Sequence, residues 1–123
     1  MKKSEKKDYL SDYIWIDRRI QMIDRELQRP ISDDVRYNGE KAETDAVKRV
    51  SKRERLINRK NELIQKKQRI EEAVEAVQDN RENIILHSMY INGMTAKEIA
   101  AEMHISERTV YRVIDAAVDK MEV

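Results

Sequence analysis

The chain has 123 residues, with 25 Lys and Arg against 24 Asp and Glu, a net charge of +1, 40% charged residues and 5% aromatic residues. Two Gly, one Pro and no Phe disfavour a sheet with tight turns and favour long helices with wet outer faces, in one ordinary domain or two small ones. The absence of Cys excludes disulfide scaffolds and thiolate metal sites, and no apolar run approaches the ~18 residues of a membrane span.

The opening stretch, "MKKSEKKDYL", is basic but has no apolar run behind it, so it does not read as a secretory signal. The expectation is a soluble, cytoplasmic protein. A first helix is predicted from near Asp8 to just before Arg29-Pro30, because proline biases its predecessor away from helix. Tyr9, Tyr13, Ile16, Ile20, Ile23 and Leu27 step by four and three in alternation, which is an apolar seam at coiled-coil spacing. Ile14 and Trp15 widen the stripe, with Trp15 expected as a core or interface anchor.

Residues 30–44 hold the one Pro and the Asn38-Gly39 turn signal. The segment is long for a connection between helices. It predicts a mobile loop, or alternatively a short strand or helical turn around Val35 to Tyr37. A long helix follows from about Asp45 to about Val77. Leu56, Leu63, Ile70 and Val77 recur every seven residues, with Val50, Ile57 and Ile64 as a second ladder. Together the ladders are wider than a two-stranded seam. They predict a helical hairpin with the first helix, with apolar surface left for a second copy.

"QDNREN" (residues 78–83) is polar and marks a predicted boundary. It separates a helical, oligomerising stalk, residues 1–79, from a C-terminal module, residues 80–123. In the module, Ile84, Ile85, Leu86, Met89 and Tyr90 predict one helix, closed by Gly93 in a left-handed cap. Thr95-Ala96-Lys97-Glu98 spells a capping box, in which hydroxyl and carboxylate each satisfy a free amide at a helix start. Ser106 caps a final helix, from Glu107 to about Met121.

Two short helices meeting at "HIS" (His104-Ile105-Ser106) predict a helix-turn-helix. Ala100 permits the close approach, while Ile99, Met103, Ile105, Val110 and Val113 fall on the facing surfaces. Many such motifs place Gly at the turn; here His104 either takes a left-handed conformation or is avoided by a longer turn. The second helix then presents its first turns to the major groove. The expected DNA-binding residues are Thr95, Lys97, Ser106, Glu107, Arg108, Thr109, Tyr111, Arg112 and Asp115. Arg108 and Arg112 fork onto a guanine edge or a phosphate, Tyr111 touches a phosphate or thymine methyl, and Glu107 accepts from cytosine. The rival for the same shape is a protein-binding helical module.

The stretch "TAKEIAAEMHISERTVYRVI" resembles region four of bacterial sigma factors and the related response-regulator output domains. They share a T-x-x-E-I-A, an apolar-Ser turn and a T-V. A charged helical first half followed by this module is similar to the ArpU-type phage transcriptional regulators, found in phages and prophages of Gram-positive bacteria. The resemblance covers the C-terminal third by its motif and the rest by general character. It implies regulation of phage transcription, with late genes the expected targets, and RNA polymerase as a second candidate partner beside double-stranded DNA.

The charge distribution poses a problem for that reading. Residues 41–70 hold eleven basic and four acidic residues, whereas residues 80–123 hold five basic and seven acidic ones. DNA affinity comes mostly from phosphate neutralisation. Two remedies are available: a homodimer through the N-terminal helices, pairing two weak heads, or phosphate contacts from Lys48, Arg49, Lys52 and Arg53, with Arg55, Arg59 and Lys60 beyond. The competing account of those cations is a solvated face balanced by the acids of the first helix.

Nothing in the sequence suggests catalysis, a metal or a cofactor. His87 and His104 are the two histidines, and their spacing fits no metal motif. Neither a P-loop nor another glycine-rich phosphate cradle occurs. The sequence therefore predicts an all-α protein: a coiled-coil-like N-terminal hairpin, then a helix-turn-helix that reads DNA as a transcriptional regulator. The alternative is a phage small terminase-like packaging protein, although such proteins usually place the DNA-binding module first.

Overall fold

The computed structural model describes residues 1–29 and 40–123, with the backbone alone for 40–50. Among the described residues the protein is all-helical and contains no strand. The helices are α1 (Lys3–Gln28), α2 (Glu40–Glu75), α3 (Asn80–Leu86), α4 (Ala96–Met103) and α5 (Glu107–Lys120), with a π-helical turn, His87–Ile91, continuing α3.

Helix α1 starts five residues ahead of the expected Asp8, at Lys3. Its first turn contains Glu5, whose carboxylate suits the positive end of a helix dipole. The Lys6 amide closes on the Lys2 carbonyl at 2.9 Å. Helix α2 also starts early, at Glu40, so residues 40–44 are helical rather than loop. The predicted strand or turn around Val35 lies outside the described residues.

Helices α1 and α2 run alongside each other in opposite directions. Tyr13 Oη donates to Glu71 at 2.5 Å, Lys67 Nζ to Asp17 at 2.8 Å, and Arg53 Nη1 to the Leu27 carbonyl at 2.7 Å. Lys60 pairs with Asp24 at 2.5 Å. Between these contacts Ile20, Ile23 and Leu63 are buried, flanked by Ile16, Leu27, Leu56 and Ile64. Trp15 does not join the core: it is 67% exposed, with the Arg18 guanidinium 5.2 Å above its ring. The step from Tyr13 to Ile16 and Ile20 already fills the inward face, which turns Trp15 outward.

Helix α2 ends where Asn83, from α3, donates to the carbonyls of Val74 and Val77 at 3.1 and 3.0 Å. Those bonds engage carbonyls at and just beyond the α2 C-terminus, where a helix leaves acceptors open. Asp79 caps α3 by accepting from the Glu82 amide at 2.9 Å. Ile85, Leu86 and Tyr90 are buried, but Ile84 is 52% exposed. The π-helical turn widens the ladder, with the Asn92 amide reaching the His87 carbonyl at 3.0 Å. Gly93 then takes φ +71°, and a Cβ there would lie 3.2 Å from the Ile14 side chain of α1. Both the left-handed backbone and the close approach therefore favour glycine.

Leu10 and Tyr13 of α1 and Ile70 and Val74 of α2 share one core cluster with Ile85, Leu86, Ile99, Val110, Ile114 and Val118. Each fully buried Leu or Ile contributes about 1.5–3 kcal/mol. This common core determines which face of α5 stays free.

Candidate nucleic-acid interface

Helices α4 and α5 are set by local chemistry at their ends. The Thr95 hydroxyl accepts from the Glu98 amide at 3.2 Å, and Glu98 Oε1 accepts from the Thr95 amide at 3.3 Å and from its hydroxyl at 3.0 Å. At the start of α5, Ser106 Oγ accepts from the Thr109 amide at 3.1 Å, and the two hydroxyls share a 2.8 Å hydrogen bond. Between the helices His104 is left-handed, with φ 57° and ψ 43°. Its amide and that of Ile105 both close on the Ala100 carbonyl, so the turn needs no further residue. Ala100 is 6% exposed and Ile99 1% exposed, placing the small side chain at the crossing.

Helix α5 buries Val110, Ile114, Ala117 and Val118. The opposite side leaves Glu107, Arg108, Tyr111 and Arg112 exposed, and Thr95, Lys97 and Ser106 are exposed at the two helix starts. Thr109 is half-buried and spends its hydroxyl on Ser106. Arg108, Tyr111 and Arg112 lie at the four- and three-residue spacings that put side chains on one helix face.

Asp115 is the named residue whose surroundings were least legible. Lys7 of α1 pairs with Asp115 through an ammonium–carboxylate hydrogen bond. That bond holds the Asp115 carboxyl below the usual carboxylate range against partial desolvation, with further help from the charges of Lys7 and Lys3. Next to it, Lys6 Nζ donates to the carbonyls of Asp119 and Met121 at 3.3 and 2.8 Å, closing the last turn of α5. Tyr90 lies beneath this junction, its phenol pushed up by burial and by the charges of Asp115 and Asp8. On the other side of α5, Lys120 pairs with Glu82 of α3 at 2.7 Å, and that hydrogen bond raises the Lys120 ammonium above its ordinary value.

The basic residues of α2 divide. Lys52 is exposed. Arg53 is half-buried and directs its guanidinium at the α1 C-terminus. Lys60 and Lys67 are paired with Asp24 and Asp17, so part of the stripe is balanced by acids of α1. The side chains of Lys48 and Arg49 lie outside the described residues. Sequence reasoning missed the lysines of α1 beside α5. "MKKSEKK" carries four lysines, but nothing local shows which distant helix they will meet.

Among the described residues the fold and site define a small all-helical protein whose last helix exposes an arginine- and tyrosine-bearing face. A family model described as a protein of unknown function, DUF1492, matches residues 26–122, and the chain belongs to that family. No curated protein and no solved structure matches it.

Proposed function

We propose that the protein is a sequence-specific DNA-binding transcriptional regulator of the ArpU type, of phage origin. In this reading α1 and α2 form a helical hairpin that assembles a homodimer. Helices α4 and α5 form a helix-turn-helix, and α5 enters the major groove. The observation that carries it is the exposed face of α5: Arg108, Tyr111 and Arg112 stand free while Val110, Ile114 and Val118 anchor the opposite side. A capped helix held on one face and offering two forked cations on the other is suited to reading base edges. The exposed Trp15 and Met22 on α1 favour self-association, since a second copy would cover them. RNA polymerase is a second partner in the proposal, through the resemblance of the stretch from Thr95 to Ile114 to the sigma-factor motif.

Selection of fragments of the source genome that the full-length protein retains at near-physiological salt tests this. Enrichment of a site upstream of a phage operon supports the regulator. Enrichment at a packaging site replaces it with a terminase-like role. Retention of nothing specific means that the face of α5 meets a protein.

A further inference from the structure

The module that reads DNA in the proposed function is itself acidic, with five basic and seven acidic residues over 80–123. Cations from the other end of the chain lie against its last helix. Positions 108, 112, 115 and 119 follow one another along a single stripe of α5 at spacings of four, three and four. Arg108 and Arg112 occupy its first half. In its second half, Lys7 covers the Asp115 carboxylate and Lys6 lies against the Asp119 and Met121 carbonyls. Lys3 lies a turn before Lys6 and Lys7 on α1, close enough for its charge to act on Asp115. Lys2 precedes it as the residue that begins the helix. Lys2 and Lys3 are exposed, and among the described residues neither forms an ion pair. Residues 1–7 carry four lysines and one glutamate, and they stand against the part of α5 where the module's own charge is negative.

We propose that Lys2 and Lys3, seated beside α5 by Lys6 and Lys7, form a phosphate-binding strip that grips the DNA backbone flanking the groove α5 enters. The inference rests on the DNA-binding reading. It assigns the backbone contacts beside α5 to the start of α1; in the basic stretch of α2, Arg53, Lys60 and Lys67 are engaged by α1, whereas Lys52 and Arg55 are exposed. Lys7 has a second effect: it neutralises Asp115, the carboxylate on the stripe that would otherwise face the phosphates.

Phosphate contacts release counterions, so their number is read from the slope of log affinity against log salt, about 0.9 per contact. The probe is a fluorescent duplex of about 30 base pairs, titrated with the full chain by anisotropy between about 50 and 200 mM salt. The double variant Lys2→Gln/Lys3→Gln should bind every duplex sequence more weakly to the same degree. Its salt slope should fall by about one for each lysine that touches phosphate. Among the described residues the variant removes no side-chain hydrogen bond, and an unchanged thermal melt checks this. Asp115→Asn, which frees Lys7 and removes a negative charge, should tighten binding several-fold; a pair with a structural role alone gives equal or weaker binding. If Arg112→Ala weakens binding while Lys2→Gln/Lys3→Gln keeps the wild-type slope, the DNA reading stands and the strip is overturned. If the wild-type protein binds no duplex, the DNA reading falls and the strip with it.

Discussion

Lys7 of α1 and Asp115 of α5 form an ammonium–carboxylate pair across 108 positions of sequence, tying the start of the first helix to the middle of the last. Because the pair depresses the Asp115 carboxyl, its contribution is fully present above the ordinary carboxylate range and is lost as pH falls through the lowered value. Both side chains are part-exposed, at 34% and 45%, so solvent screening keeps the effect within about 1 kcal/mol. Urea denaturation of wild type and Asp115→Asn should show that small difference at pH 7, shrinking as pH falls below the ordinary carboxylate range. A difference that persists in acid would mean the pair does not cause it.

His104 holds a left-handed backbone, which costs an L-residue roughly 1–2 kcal/mol. His104→Val should destabilise the protein by about 1–2 kcal/mol, because β-branched side chains tolerate that region worst. His104→Gly should be neutral or slightly stabilising, since relieved strain is offset by the freedom glycine adds to the unfolded chain. Equilibrium unfolding of the two variants gives the order; valine above glycine would show that the turn relaxes out of the left-handed region.

Thr95 and Ser106 each satisfy an amide that a helix start leaves open. Thr95→Ala and Ser106→Ala should each cost about 1 kcal/mol of stability. Their effects should add, because they cap different helices. Chemical denaturation of the two single variants and the double variant measures both quantities.

Leu10 is fully buried in the same cluster as Val74 and Val118. Leu10→Ala should destabilise the protein by about 2–5 kcal/mol. Because one core joins α1, α2 and α5, the loss should accelerate amide exchange in α5 as much as in the C-terminal half of α2. Faster exchange confined to α1 would show that the last helices are stable without it.

Arg108→Ala and Arg112→Ala should each cost roughly 1–3 kcal/mol at a cognate DNA site and relax its sequence preference, if they read bases. Both residues are exposed, so neither change should move the thermal melt. Equal loss on cognate and random duplexes would assign them to phosphate.

Local features were the most legible. The capping box at Thr95 and Glu98, the Ser106 cap and the left-handed Gly93 depend on residues three or four apart, and such contacts form wherever the helix forms. The alternating seam of α1 was legible for the same reason: Tyr13, Ile20 and Ile23 are buried because their spacing allows no other inward face. The π-helical turn at His87–Ile91 carried no such signal, nor did the early starts of α1 and α2.

The sequence by itself determined an all-helical chain, the ends of its short helices and the left-handed glycine between α3 and α4, because short-range sterics and hydrogen bonds decide those. Only the tertiary structure decided that Trp15 faces solvent, that Arg53 closes α1, and that Lys6 and Lys7 secure α5. Those outcomes depend on how the helices pack about Leu10, Val74 and Val118. A shared apolar core sets their relative placement, and the charged side chains take the partners that placement brings within reach.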